Sequence, residues 1–315
     1  MSQTLAKRSG QEASVQETTR ATGDCEIAAQ GGEAASVPFA LPQVERKPAT
    51  PAWRPRHLTW MLSLPFLAFL VLPLAALVLR LPPERLISSL SSRQVVQAVT
   101  LSMATTLVTT VVTICFGTPV GYLLARRRFP FRSAVDTLVD LPTVLPPAVA
   151  GVALLMAFGR RGILGGTLDA WGIHIAFSWV AVVMAQTFVA SAFYVKAAAL
   201  GFAGINPELE QSAALDGAGS WEVFRHVTLP LAWSALLSGA VMTWARALGE
   251  FGATMIFAGN YPGRTQTMPL AIYLGFELDL SVALTLAVIL VGFSFVVLMV
   301  VKGILHREVN EGVGI

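Results

Sequence analysis

Several stretches of this chain run for about twenty residues or more with almost no charge. An α-helix rises about 1.5 Å per residue, so about 20 apolar residues cover the roughly 30 Å of bilayer hydrocarbon. Within that hydrocarbon every backbone N–H and C=O must find a partner inside the segment, and a helix achieves this by itself. The runs fall at about 58–79, 95–125, 135–158, 175–200, 231–258 and 281–301, which predicts an all-α integral membrane protein of six spans. Hydrophobic residues make up 54% of the chain, charged residues only 13%, and the mean hydropathy is +0.64. A soluble domain carries about twice that charged share, so a soluble globule is excluded. Pro65, Pro73, Pro119, Pro142, Pro146 and Pro147 fall within or beside the spans. Kinks there are tolerated where neighbouring helices satisfy the freed backbone groups.

Residues 1–56 differ in kind. They are rich in Ala, Glu, Gln, Ser, Thr and Gly, with Pro38, Pro42, Pro48, Pro51 and Pro55 near their end. Such a composition buries too little apolar surface to offset chain entropy, so a disordered cytoplasmic tail is expected ahead of a transmembrane domain at 57–315. The first apolar stretch begins only after His57, too late for a secretory signal. Cys25 lies in the tail and Cys115 in an apolar run, which makes an improbable disulfide and no metal site. With the N-terminus inside, Lys and Arg favour the inner loops over the outer ones by about two to one. The inner cluster is Arg126, Arg127, Arg128 and Arg132; the outer set includes Arg80, Arg93, Arg160, Arg161 and Arg264. The positive-inside rule therefore puts both termini in the cytoplasm, and the pI near 9.1 reflects topology rather than nucleic-acid binding.

The inner loop at about 201–230 is the longest and the best punctuated. Asn206 can cap a helix, Pro207 suits its first position, and Glu208 and Glu210 suit its positive end. Asp216-Gly217 is a stop signal, because Gly adopts positive φ without strain. Ser220 can cap a second short helix, Trp221 to His226, before Leu229-Pro230 opens the next span. A helix, a turn and a second helix are predicted.

This loop resembles the cytoplasmic signature of ABC importer permeases: Glu-Ala-Ala, three residues, Gly, nine residues, a β-branched apolar residue, any residue, then Leu-Pro. Gly217, Val227, Leu229 and Pro230 match in register. Gln211, Ser212 and Ala213 occupy the Glu-Ala-Ala positions, so the first half departs from the pattern. Glu210 lies one residue early, about 100° around the helix from the family's acid. The resemblance implies that Glu210, Gln211, Ser212, Ala213, Asp216, Gly217, Val227, Leu229 and Pro230 form a coupling element. That element would dock on a cytoplasmic ATPase subunit.

A second block narrows the resemblance. Ala247-Leu248-Gly249-Glu250-Phe251-Gly252 leads into Gly259-Asn260-Tyr261-Pro262-Gly263-Arg264-Thr265-Gln266-Thr267-Met268-Pro269-Leu270. Upstream stand Leu141-Pro142-Thr143-Val144-Leu145-Pro146-Pro147 and Gly159-Arg160-Arg161-Gly162. Together these resemble molybdate-type permeases, with sulfate and tungstate permeases as near relatives, over residue 58 to the end. The resemblance implies a six-helix permease bundle in the inner membrane and a second copy of the chain. It also implies two ATPase subunits that hold ATP and Mg²⁺, and an extracytoplasmic oxyanion-binding protein.

The residues can also be read alone. Arg246 and Glu250 are four apart inside a span, and a lone charge there costs a few kcal/mol, so they should pair and face the bundle interior. They either line or gate an anion path or lock the bundle. Asn260, Arg264, Thr265, Gln266 and Thr267 offer hydrogen-bond donors and one cation at the outer end of the fifth span. They suit an oxyanion or a binding-protein contact. Gly239, Gly249, Gly252 and Ala253 suit close helix packing. No Gly-rich phosphate loop ending in Gly-Lys-Ser/Thr is present, so ATP hydrolysis is assigned to a partner and no cofactor to this chain. His57, His174, His226 and His306 have no ligand spacing, which argues against an intramembrane metalloenzyme. An ATPase-independent channel or secondary transporter would not need the punctuated loop.

Overall fold

The computed structural model describes residues 56–80 and 82–312. The expectation of a disordered tail at 1–56 falls, Arg56 aside, outside those residues. The described residues form α-helices joined by short connections, with no strand among them. In chain order they are α1 Arg56–Leu79, α2 Pro83–Leu90, α3 Arg93–Arg126, α4 Arg132–Val144, α5 Pro147–Phe158 and α6 Gly165–Ala170. There follow α7 Trp179–Ala203, α8 Pro207–Leu215, α9 Ser220–Val223, a π-helical turn Phe224–Thr228 and α10 Leu229–Leu248. The chain ends with α11 Gly252–Phe257, α12 Met268–Leu278 and α13 Leu280–Gly312. Five helices are long and apolar enough to cross a membrane, and a sixth span arises if α4 and α5 count as one bent unit.

Helix α7 is the axis of the bundle. Ala181, Ala185, Ala190, Ala192 and Ala198 are buried along it and let its neighbours approach closely. On α3, a Cβ added at Gly121 would stand 2.8 Å from Ala198 Cβ. On α10, a Cβ added at Gly239 would stand 2.6 Å from Ala197 Cβ. Lipid tails are as apolar as Leu, so such contacts hold helices together through packing and interhelical hydrogen bonds rather than by expelling water. The hydrogen bonds are present. Thr109 Oγ1 donates to Gln186 Oε1 at 3.0 Å, and the hydroxyls of Thr118 and Tyr194 lie 2.7 Å apart. Both tie α3 to α7. Lys196 Nζ of α7 meets Asp136 Oδ1 at 2.7 Å and Asp140 Oδ2 at 2.8 Å, which fixes α4. Trp60, Phe66, Phe69 and Leu72 of α1 are exposed, as a lipid-facing helix requires.

Two predicted spans prove to be broken. The third, expected as one helix over 135–158, is α4 and α5 with a bend of 116° between them. Pro146 and Pro147 are the cause: neither has an N–H to continue the ladder, and Pro146 forces Leu145 out of the helical region, to φ −66 and ψ 135. Helix α4 starts beside the end of α3 and pairs with Lys196 near the end of α7. Leu155 and Phe158 of α5 instead share a cavity with Phe177, ahead of the start of α7. The bent pair thus contacts Lys196 of α7 through α4 and the cavity beside Phe177 through α5. The fifth span, expected to reach Ala258, stops at Leu248 and resumes as α11 after Gly249-Glu250-Phe251. The short helices α2 and α12 were not anticipated.

The α3–α7 contact gives a direct test. Gly121→Leu should cost about 1–3 kcal/mol by overpacking. Gly292 of α13 has no atom within 4 Å of an added Cβ, so Gly292→Leu should leave stability unchanged. Thermal unfolding of the detergent-purified protein reads both, and equal melting temperatures for the two variants would contradict this packing.

Candidate functional site

The two ends of α7 organise the functional residues. At 25 residues it is about 37 Å long, so a loop at its C-terminal end and a cavity at its N-terminal end are a membrane apart.

At the C-terminal end, Asn206 caps α8 as the sequence suggests: its side chain accepts from Glu208 N at 3.1 Å, with Pro207 in the first turn. Gly217 ends the helix at φ +95. The second helix differs in detail. Gly219, not Ser220, is its N-cap, and Glu222 Oε2 accepts from the Gly219 N–H at 2.8 Å. It does not stop before Pro230; it passes through the π turn, where Leu229 N donates to Phe224 O, directly into α10. Leu209, Leu215 and Trp221 are exposed on this loop, as are Gln211, Ser212, Asp216 and Gly217. Ala213 and Val227 are half-buried, Leu229 is half-buried and Pro230 exposed.

Glu210 points inward. Its Oε1 accepts from Arg126 Nη2 at 3.0 Å and from Thr228 Oγ1 at 2.7 Å. Beside it stands an aromatic cluster: Tyr122 of α3 packs edge-on against Phe202 of α7 and Phe224 of the π turn, each with centroids 5.4 Å apart. Trp221 stacks on Phe224 at 5.7 Å.

Mid-bundle, the two helix breaks lie against each other. A Cβ added at Gly252 would stand 2.8 Å from Pro147 Cβ, and one at Gly151 would stand 2.9 Å from Ala253 O. Arg246 and Glu250 are paired, Nη1 to Oε2 at 2.9 Å, as their spacing predicts. Glu250 lies beyond the end of α10, however, so the two do not share a helix. Its Oε1 accepts from Ala253 N at 2.9 Å, satisfying a donor in the first turn of α11. Glu250 is 1% exposed, whereas the Arg246 side chain is 32% exposed.

At the N-terminal end of α7, a cavity of about 680 Å³ is lined by Arg160, Asp169, His174, Phe177, Tyr261 and Arg264 among others. Of the five polar residues expected at this mouth, only Arg264 is exposed there. Thr265, Gln266 and Thr267 turn inward and are buried. Thr265 Oγ1 donates to Gly259 O and accepts from Tyr261 N, each at 3.1 Å, while Asn260 Nδ2 donates to Leu270 O at 3.3 Å. Just beyond them, Met268 N donates to Ser102 Oγ of α3 at 2.7 Å. No group of three or more His, Cys, Asp or Glu able to hold a metal occurs among the described residues.

Sequence reasoning singled out Arg126 only as a topology charge and passed over Thr228. Its partner Glu210 is 84 residues from Arg126, beyond any helical periodicity. A basic residue in the last turn of α3, facing the helix's own negative end, was the available signal.

The break yields a prediction. Glu250→Ala removes the acceptor of Ala253 N and should cost about 1–3 kcal/mol, and Arg246→Ala, which leaves the buried Glu250 carboxylate without its cation, should cost at least as much. Exchanging the two charges should not restore stability, because an arginine at 250 cannot accept from Ala253 N. Melting temperatures of the three variants check this, and full recovery in the exchanged protein would contradict it.

Residues 117–310 match the family described as the binding-protein-dependent transport system inner membrane component. The molybdenum transport system permease protein ModB of Mycobacterium tuberculosis is 40% identical over 233 residues, covering 74% of this chain and 88% of that protein. ModB of Escherichia coli is 43% identical over 178 residues, covering 56% and 78%. In architecture the chain is similar to a bacterial ABC transporter involved in the import of the acidic polysaccharide alginate, with TM-score 0.58 and 19% identity, covering 80% of this chain and 94% of that one. This chain belongs to the family of inner-membrane components of binding-protein-dependent transport systems.

Proposed function

We propose that this chain is the permease subunit of an ATP-driven ABC importer that moves molybdate into the cytoplasm by alternating access. The observation that carries the reading is the loop between α7 and α10. It keeps the importer spacing from Gly217 to Leu229-Pro230, and it turns Leu209, Leu215 and Trp221 outward while its other face is tied into the bundle. Exposed apolar side chains on a two-helix element suit a groove on a cytoplasmic ATPase subunit. ATP and Mg²⁺ belong to that subunit, and this chain contributes a path and a coupling surface. Molybdate as cargo rests on relatives named as molybdenum permeases at 40% and 43% identity.

The Lys and Arg distribution supports cytoplasmic termini, with the α8 end inside and the cavity at Arg160 and Arg264 outside. An oxyanion-binding protein would dock over that cavity, and the two arginines would meet the released anion. The path then passes the two helix breaks, because interrupted helices survive in a bilayer only where protein or a water-filled cavity surrounds them. Arg246, with its partly open side chain, is the donor offered to the anion there, and Glu250 holds it in place. Asn260 and Thr265 brace the segment behind that point, with Gln266 and Thr267 buried beside them. Two copies of the chain around a two-fold axis would complete the pore.

Radiolabelled molybdate uptake by cells expressing the chain with its ATPase and binding protein tests the proposal. Uptake that requires this chain, falls with excess tungstate and resists excess sulfate is the expected result. Uptake abolished by sulfate would reassign the cargo, and uptake independent of the ATPase would contradict the importer reading.

A further inference from the structure

The carboxylate nearest the family's docking acid does not face the cytoplasm. Glu210 has 20% of its side chain exposed and Arg126 only 14%, while Gln211, Leu215 and Trp221 on the same loop are open. One oxygen of Glu210 collects donors from two separate spans, Arg126 at the end of α3 and Thr228 in the turn that opens α10. Arg126 Nη2 also donates to Ile205 O at 3.3 Å, in the link between α7 and α8. Thr228 is 1% exposed. It reaches Glu210 from the π turn, an irregularity that often marks a functional position in a helix. Two spans therefore meet at a single carboxylate, and Arg126 ties the α7–α8 link to the same joint.

We infer that Glu210 is a positioning residue: the joint that makes α8 move as one body with the ends of α3 and α10, so that displacement of the loop by the ATPase reaches the helices around the path. It is not a docking group for the ATPase. The argument turns on desolvation. With Glu210 gone, the Arg126 guanidinium keeps its partial burial but loses its only anionic partner among the described residues, so the junction loosens while the outward face of the loop is untouched. Docking and coupling are thereby separable, and different residues carry them.

The proposal rests on the importer reading above and deepens it. The test uses the whole complex in proteoliposomes: permease, ATPase and binding protein, with molybdate transported per ATP hydrolysed as the readout. Glu210→Ala should retain the ATPase subunit through purification and go on hydrolysing ATP, while molybdate moved per ATP falls about tenfold. Arg126→Ala should behave alike, and Glu210→Gln, which keeps an acceptor for Arg126 and Thr228, should retain much of the ratio. Should Glu210→Ala fail to fold, Thr228→Val, which keeps the ion pair and drops one donor, should lower the ratio severalfold. Loss of the ATPase from Glu210→Ala would overturn the inference, as would a ratio in Glu210→Gln as low as in Glu210→Ala or an unchanged ratio in Glu210→Ala or Thr228→Val. A wild-type complex that moves no oxyanion fails the importer reading instead, so the two failures are distinguishable.

Discussion

Hydrocarbon offers the backbone no hydrogen-bond partner, and the rest of this structure is organised by where the chain departs from helix and what then satisfies it. The departures at Leu145-Pro146 and at Gly249-Glu250-Phe251 lie side by side, Gly252 against Pro147 and Gly151 against Ala253. Each break is roofed by the other, and Glu250 supplies an acceptor to the amide of Ala253. A buried carboxylate needs a cation, and Arg246 supplies it from the preceding turn. The motif thus follows from a structural demand before any cargo is considered. The Arg246 side chain is not fully enclosed by that task, and the proposed anion path makes use of it.

The same economy appears where the bundle meets the loop. The cluster of Arg126, Glu210 and Thr228, with the aromatic packing of Tyr122, Phe202 and Phe224 beside it, attaches a surface element to three spanning helices. The charged contact supplies direction and the aromatic contact supplies area. Under the proposed coupling, a loop anchored in this way transmits displacement. One held only by chain connectivity would absorb it.

Much of this was legible in the sequence. Apolar run length gave the spans, Asn206-Pro207 and Asp216-Gly217 gave the ends of α8, and the spacing of Arg246 and Glu250 gave their pairing. Periodicity could not reveal the sharp bend between α4 and α5, because both halves are apolar and tandem prolines read equally well as a kink. Nor could it show that Thr265, Gln266 and Thr267 turn inward, since polar residues after a span look like a mouth until Ser102 is seen receiving the next amide. The direction of Glu210 was hidden for a further reason. Its partners come from two other helices, and only folding brings them together.

The central claim is that the paired breaks line a path opening alternately to the two sides. Val144 and Gly249 flank those breaks and are exposed in the single chain. Single cysteines at these positions, in a protein lacking Cys25 and Cys115, can be probed in the assembled complex with a membrane-impermeant thiol reagent from either side. The account predicts labelling from the cytoplasmic side without nucleotide and from the outer side when ATP is trapped on the ATPase. Labelling from the same side in both states, or from neither, would contradict it.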